Sequence, residues 1–251
     1  MLVWSSSLLS STSGKIGYWL IRKDKKYLAI NLKANLHLDD YFTLYAGYKS
    51  FDEYLKVQQA KTERRLKVFS SKKTSIMWTS ENNMQDLAKI LCKYISKKSI
   101  SGVCMGSRSG EEQLLLEHYL GRESEVIGVE LSKDASNLPN TVIADFHFLP
   151  DSFLNEFDFV YSNAHDQSSM PRVAFDAWID CLRLGGLLIL EHSRSHGQSR
   201  AGKQDPFGIE TELFPYVMMS WYRDRLRLEG IYEPSLPFDA GHRFLIFSKK
   251  L

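Results

Sequence analysis

Short apolar runs alternate with helix-like segments from residue 100 to residue 193. Each run has the length and composition of a buried strand: ISGVCMG, EVIGVEL, TVIADF, FDFVYSN and GGLLILEHS. Gly121 ends a helical pattern after the first run, and Pro171 suits the first turn of the helix PRVAFDAWIDCLRL before the fifth. This alternation predicts an α/β fold with a parallel sheet covered by helices on both faces.

The last part of the chain predicts two further strands. They read RLRLEGIYEP and HRFLIFSKK, and the turn-rich segment SLPFDAG joins them. A hairpin at this point would make the final strand antiparallel to the sheet. The segment SKDASNLPN between the second and third runs is short for a helical crossover, so we expect a turn or one helical turn there.

Residues 1–79 differ from residues 80–251 in pattern and charge, and we predict an N-terminal α+β extension. YWLIRKDKKYLAINL is typical of a hairpin, residues 52–69 have helical spacing, and Ser80 can cap a helix over residues 80–97. Residues 1–99 carry 18 Lys and Arg against 8 Asp and Glu. This excess favours an anionic partner, a solvated face, or docking on the acidic remainder of the chain.

The composition is that of a globular protein, with 43% hydrophobic and 25% charged residues. No apolar run is long enough to span a bilayer. The start of the chain, MLVWSSSLLSSTSG, lacks a basic region and a sustained apolar region, so we expect no secretory signal. Cys92, Cys104 and Cys181 have neither metal nor disulfide spacing, and we expect three buried thiols and a cytoplasmic location.

Polar residues or glycines end the first four predicted strands. They are Gly106 with Gly110, Glu130, Asp145, and Asn163 after Ser162. In an open parallel sheet, ligands bind beyond the carboxyl ends of the strands. Glu130 follows the glycine turn by about 20 residues, the offset at which a carboxylate can accept hydrogen bonds from two ribose hydroxyls.

The ordered set VCMGSRSGEE, VIGVEL, VIADF, FDFVYSN and LRLGGLLILEHS resembles the class I S-adenosylmethionine-dependent methyltransferases over about residues 80–251. The resemblance implies a seven-stranded Rossmann-like sheet with a C-terminal antiparallel hairpin, S-adenosylmethionine as cofactor, and methyl transfer. It also implies a cofactor site. The turn residues Gly106, Ser107, Arg108 and Gly110 would face the methionine part, Glu130 and Leu131 the ribose, Asp145 and Phe146 the adenine, and Asn163 the sulfonium.

The glycine turn departs from the family pattern at two positions. Arg108 replaces the middle glycine, and Cys104 replaces the usual acid. Arg108 can pair with the cofactor carboxylate or with Glu111 or Glu112. The alternative is a fold that has lost its cofactor and serves as a non-catalytic scaffold. A dinucleotide dehydrogenase is disfavoured because the glycine spacing does not fit G-x-G-x-x-G.

Histidine and aspartate residues follow the fourth and fifth strands. We predict His165, Asp166 and His192 as catalytic residues that remove the proton of a hydroxyl acceptor on a small molecule or glycan. We predict no metal, because the adjacent side chains of His165 and Asp166 point apart and make a poor chelate. The acceptor is unidentified and could be anionic. An RNA methyltransferase that uses the basic N-terminal region is the alternative, although no RNA-binding motif is present.

Overall fold

The computed structural model describes residues 16–21, 27–32, 38–72, 77–121, 123–237 and 239–250. In chain order its strands and α-helices are β1 (Ile16–Ile21), β2 (Tyr27–Leu32), β3 (Phe42–Leu44), α1 (Phe51–Lys72), α2 (Glu81–Tyr94), β4 (Ser101–Met105), α3 (Glu111–Leu120), β5 (Glu125–Glu130), β6 (Thr141–Ile143), β7 (Phe157–Ser162), α4 (Pro171–Cys181), β8 (Leu182–His192), β9 (Phe207–Ile209), α5 (Phe214–Tyr222), β10 (Leu226–Tyr232) and β11 (Arg243–Lys249).

Seven strands form one sheet in the order β10-β11-β8-β7-β4-β5-β6. The neighbours from β8 to β6 pair in parallel, whereas β11 pairs antiparallel with both β8 and β10. The predicted fold class is therefore confirmed, including the C-terminal antiparallel hairpin. The carboxyl ends of the five parallel strands lie at one edge, where we predicted the site.

Two apolar layers cover the sheet because successive strand residues point to opposite faces. In β4, Val103 and Met105 belong to the layer formed with α4 and α5, whereas Cys104 belongs to the layer formed with α2 and α3. Trp178 of α4 is fully buried in the first of these layers. The Ser80 side chain accepts from the backbone N–H of Asn83 and caps α2, which confirms the predicted start of that helix.

Some predicted boundaries were wrong by a few residues. The third strand, β6, has three residues rather than the six of TVIADF, because the chain turns after Ile143 and Asp145 accepts the backbone N–H of His147. The fifth strand, β8, begins at Leu182, because residues predicted as the end of a helix pair with β7. The link after β5 contains a single 3-10 turn, Lys133–Ala135, as expected.

The N-terminal elements contact the sheet domain in several places. β1 and β2 are antiparallel, so the predicted hairpin is confirmed, and β3 pairs with β9. The Tyr54 hydroxyl of α1 donates to the Gln167 carbonyl at 3.0 Å, and Lys61 pairs with the Asp205 carboxylate. α1 therefore lies against the carboxyl edge of the sheet. The division of the chain at residue 79 stays a prediction.

No helix among the described residues is long and apolar enough to cross a membrane. The first 14 residues, which we judged unlike a secretory signal, lie outside the described residues. Cys104 and Cys181 are buried as expected, but the prediction was wrong for Cys92. Cys92 is exposed because it follows the buried Leu91 on α2 and points away from the core.

Candidate functional site

The glycine turn between β4 and α3 has a left-handed backbone at three positions. Gly106, Arg108 and Gly110 have φ angles of 79°, 45° and 77°. A Cβ on Gly106 would lie 2.6 Å from the Cβ of Ala164, so this glycine permits close contact between the turn and the segment after β7. Arg108 adopts a conformation that costs a non-glycine residue energy. The turn is therefore held in place by other contacts.

Glu130 supplies those contacts. Its carboxylate accepts the backbone N–H of Arg108 at 2.9 Å, of Leu131 at 2.8 Å and of Ser132 at 3.1 Å. The side chain is only 5% exposed. Three charge-assisted bonds fix the strained turn against the end of β5. A carboxylate has about four acceptor positions, so one remains for a ligand hydroxyl.

Asp145 has one satisfied and one bare oxygen. Its Oδ1 accepts from the backbone N–H of His147 and lies 2.7 Å from the Nδ1 of that ring, whereas the buried Oδ2 has no hydrogen-bond partner. The His147 ring also contacts Ser168 Oγ at 2.7 Å through Nε2. Phe146 stands edge-on to Trp178 with ring centroids 5.4 Å apart. An unmatched buried carboxylate oxygen indicates a missing donor.

Asn163 connects β7 to the first turn of α3. Its Nδ2 donates to Glu112 Oε1 at 2.6 Å and to the Tyr161 hydroxyl at 3.2 Å. Glu112 is buried, and burial raises the pKa of its carboxyl group to about 8, with Glu191 adding to the shift and Asn163 and Arg108 opposing it. Burial raises the pKa of the Cys104 thiol, and the Glu112 carboxyl group adds to this shift, so the two groups interact electrostatically.

A further buried network extends from Tyr161 to the end of β8. Glu191 accepts from the Tyr161 hydroxyl and from Thr79 Oγ1 at 2.7 Å, and its Oε1 lies 2.7 Å from Nε2 of His242. Glu191 and His242 are both fully buried. Because three side chains form hydrogen bonds with this carboxylate, we assign it a structural role rather than a reactive one.

Three buried histidines lie together beyond β7 and β8. The Nε2 of His165 is 2.9 Å from the Nδ1 of His192, and the Nε2 of His192 is 3.0 Å from the Ile209 carbonyl oxygen. The His196 ring lies 5.0 Å from that of His165 and 5.1 Å from that of His192. Burial lowers the pKa of His165 and His192 well below 6.5 and that of His196 to about 3, so all three are neutral.

Asp166 lies beside the histidines under α1. Its Oδ2 is 3.9 Å from Nε2 of His196, and its buried Oδ1 has no hydrogen-bond partner. Burial, followed by the charge of Asp205, raises the pKa of Asp166 to about 7, whereas Lys61 and Arg65 of α1 lower it. α1 thus brings two cations over an otherwise uncompensated carboxylate.

Every residue that we predicted for the site lies at or next to the carboxyl edge of the sheet, but their roles there stay predictions. His165, Asp166 and His192 are adjacent in space. Sequence reasoning named Glu112 only as a possible partner of Arg108, and it missed the cover formed by Lys61, Arg65 and Tyr54 of α1. The position of Glu112 in the first helical turn after the glycines was the available signal, since such a side chain can turn back toward the strand ends.

Solved structures of similar fold allow comparison of the whole chain. No family model and no curated protein matches the sequence. One similar structure is 1,6-didemethyltoxoflavin-N1-methyltransferase from Burkholderia thailandensis with 1,6-didemethyltoxoflavin and S-adenosylhomocysteine bound, at 15% identity and a TM-score of 0.59, covering 83% of this chain and 93% of that one. Another is the plantazolicin methyltransferase BpumL with S-adenosylhomocysteine, at 10% identity and a TM-score of 0.57, covering 80% and 97%.

A third similar structure is the [4+2]-cyclase SpnF, at 13% identity and a TM-score of 0.57, covering 79% of this chain and 96% of that one. The fold of this chain is that of the class I S-adenosylmethionine-dependent methyltransferases. Because a cyclase has a similar fold, the fold alone does not define the reaction.

We expect Gly106→Ala to destabilise the protein, because the new methyl group meets Ala164 and the residue keeps a positive φ. The cost should be about 1–3 kcal/mol in the free energy of unfolding, measured by urea denaturation. Gly202→Ala is the control, since the nearest atom to a Cβ there is 3.8 Å away. Equal stability of the two variants would contradict this explanation of the turn.

We expect Glu112→Gln to remove a pH dependence of stability. The folded-state pKa of about 8 lies above the ordinary value, so folding takes up a proton and wild-type stability falls as the pH rises toward 8. Between about pH 5.5 and about pH 8, the wild type should lose at least ~1 kcal/mol more than the variant in urea unfolding. Glu123→Gln, at an exposed position, should follow the wild type.

Proposed function

We propose that the chain binds S-adenosylmethionine and transfers its methyl group to a hydroxyl of a small molecule or glycan. The observation that carries the proposal is the bare, buried Oδ2 of Asp145 at the end of the third parallel strand. The resemblance assigns that position to the adenine amino group, which is a hydrogen-bond donor. The orphan acceptor therefore fits the cofactor, and Phe146 next to it offers an apolar face for the ring.

The other strand ends complete the cofactor site in this proposal. Glu130 uses its remaining acceptor position for a ribose hydroxyl, next to Leu131. The backbone of Gly106, Ser107 and Gly110 faces the methionine part, where the Ser107 hydroxyl is buried without a partner. Glu130 then has two tasks, since it holds the turn and binds the ligand.

Glu112 is our candidate for the cofactor's ammonium group. The acid usual in the family is replaced by Cys104, and Glu112 interacts electrostatically with that thiol. A buried carboxyl group with a raised pKa gains from a cation beside it, since the cation favours its charged form. Arg108 and Arg65 act on each other electrostatically, and together they provide positive charge for the cofactor carboxylate.

When bound, the cofactor supplies an electrophilic methyl group. The protein orients the acceptor and takes up its proton. Among our three catalytic candidates, Asp166 is best suited to accept that proton, because its Oδ1 is buried and has no hydrogen-bond partner. His165 and His192 contact each other and act as supporting residues.

The RNA alternative has less support than the small-molecule reading. Part of the basic N-terminal charge is neutralised within the chain, since Lys61, Lys89 and Lys97 pair with Asp205, Asp86 and Asp158. A nucleic-acid enzyme should bind RNA with an affinity that falls steeply with salt. The descriptions of the three similar structures above mention no nucleic acid. A non-catalytic scaffold remains the alternative, and it predicts no cofactor affinity.

Calorimetric titration with S-adenosylhomocysteine tests the cofactor assignment. We expect one binding site per chain. Asp145→Asn should weaken the affinity for S-adenosylhomocysteine about fivefold to tenfold or more, because the amide nitrogen or the loss of charge disrupts the bond to the adenine amino group. Asp151→Asn, at an exposed aspartate, is the matched control. If no heat is measured at millimolar ligand, the proposed cofactor is excluded and the non-catalytic scaffold is the remaining hypothesis.

Asp166→Asn tests the assignment of the proton acceptor. With an acceptor that gives turnover, kcat should fall about 10²-fold to 10⁴-fold, the usual contribution of a general base. Binding of S-adenosylhomocysteine should be unchanged in the same variant, since Asp166 is assigned to the acceptor. A variant that loses cofactor binding together with turnover would assign Asp166 to the cofactor site instead.

A further inference from the structure

We propose that His165, His192 and His196 bind one divalent transition-metal ion of the Zn²⁺ class. One nitrogen from each ring lies within 4.8 Å of the other two. The three side chains are 4% exposed or less, and they come from two separate segments of the chain. The proposal goes beyond the proposed function and does not depend on it.

Hydrogen bonding prepares His192 as a ligand. Its Nε2 carries a proton toward the Ile209 carbonyl oxygen at 3.0 Å, so Nδ1 has a free lone pair. Metal-binding histidines usually make this kind of bond to a carbonyl with the nitrogen that does not bind the metal. The lone pair points toward Nε2 of His165, 2.9 Å away.

Without an ion, the hydrogen bonds of the His165 ring leave one of its two nitrogens without a partner. To bond to the lone pair of His192, Nε2 of His165 must carry the proton, which leaves Nδ1 deprotonated, buried and without a partner. An ion between the two rings removes this conflict. With the proton on Nδ1, both facing nitrogens donate lone pairs to the metal, and the backbone of Ser162 favours a proton on the His165 ring.

His196 is the third and weakest ligand. Its Nδ1 accepts the backbone N–H of Ser193 at 3.2 Å, so Nε2 carries the proton in the metal-free ring. Binding through Nε2 moves the proton to Nδ1 and replaces the hydrogen bond from Ser193. Tetrahedral Zn²⁺ with bonds of about 2.0–2.1 Å places its nitrogen ligands about 3.4 Å apart, so small side-chain shifts are enough.

The surroundings suit a cation of this class. Three neutral imidazoles favour Zn²⁺, Co²⁺, Ni²⁺ or Cu²⁺, whereas Mg²⁺ and Ca²⁺ prefer oxygen ligands. Asp166 lies 3.9 Å from Nε2 of His196 and has a bare buried oxygen. Its negative charge compensates part of the charge of the ion. Three nitrogens leave one tetrahedral position, which an acceptor oxygen or a water molecule can take.

The test uses full-length protein that has been dialysed against a chelator and is then titrated with Co²⁺. We expect one equivalent per chain with the visible absorption of nitrogen-coordinated Co²⁺, and displacement of Co²⁺ by Zn²⁺. His165→Ala and His192→Ala should weaken binding at least a hundredfold, and His196→Ala should weaken it less. His118→Ala, on the exposed side of α3, is the matched control and should bind like the wild type.

Loss of folding is separated from loss of a ligand by far-ultraviolet circular dichroism and by the conservative variants His165→Asn and His192→Gln. In the wild type, Zn²⁺ should also raise the thermal midpoint in a concentration-dependent way. No stoichiometric Co²⁺ binding, or binding that survives both His165→Ala and His192→Ala, would overturn the proposal. Titration of the same samples with S-adenosylhomocysteine reports separately on the cofactor site.

Discussion

The charge-assisted bonds of Glu130 hold the glycine turn to the end of β5, and the rest of the site depends on them. The carboxylate accepts three backbone N–H groups from two segments that are far apart in sequence. One of these is the amide of Arg108, whose positive φ needs such support. With the turn fixed, Gly106 contacts Ala164, and Glu112 in the following helix reaches Asn163. The carboxylate acts together with the backbone N–H groups of Gly106 and Ser107, which donate to the Val129 carbonyl oxygen at 2.9 Å and 3.1 Å.

Buried polar groups at this edge also explain why α1 covers it. Asp166 is buried and has one bare oxygen, so it requires positive charge nearby. Lys61 provides such charge and pairs with Asp205, although burial lowers its pKa. Because removing the Lys61 ammonium group from water offsets much of its attraction to the partly exposed Asp205, this pair adds little to stability. Its effect is to fix where α1 lies relative to the site.

The sequence predicted the sheet because most of its strands are short, largely apolar runs, and helical patterns separate most of them. Strand ends were also predictable, since the turn from apolar to polar residues marks them, and this located Glu130, Asp145 and Asn163. Strand lengths were less predictable. Leu182 and its neighbours continue the helical pattern of α4, but pairing with β7 draws them into β8. Tertiary hydrogen bonds overrode local preference there.

Contacts between distant segments were beyond the sequence. Nothing in the spacing of His165, His192 and His196 indicates that their rings meet. The fourth and fifth strands must first lie side by side. The chain after β8 must then turn back in a 3-10 helix, Arg194–His196. The same holds for Glu112 and Cys104. Glu112 belongs to a helix, and packing brings it toward Cys104, the strand position at which the family usually has an acid. The local sequence shows which side chains are chemically able to react, but the packing of distant segments determines which of them lie in the same site.

The histidine cluster bears on how this fold acquires its chemistry. Similar folds include two methyltransferases and a cyclase, so the shared sheet does not define the reaction. The reaction depends instead on the side chains around the sheet, and in this chain one set of them lies beyond β7 and β8. Three neutral imidazoles and Asp166 are enclosed there, next to the residues assigned to the cofactor. If an ion occupies the imidazoles, His165 and His192 have no lone pair left for a proton, and Asp166 becomes the only one of our three catalytic candidates able to accept it. The proposed metal site and the assignment of the base therefore constrain each other.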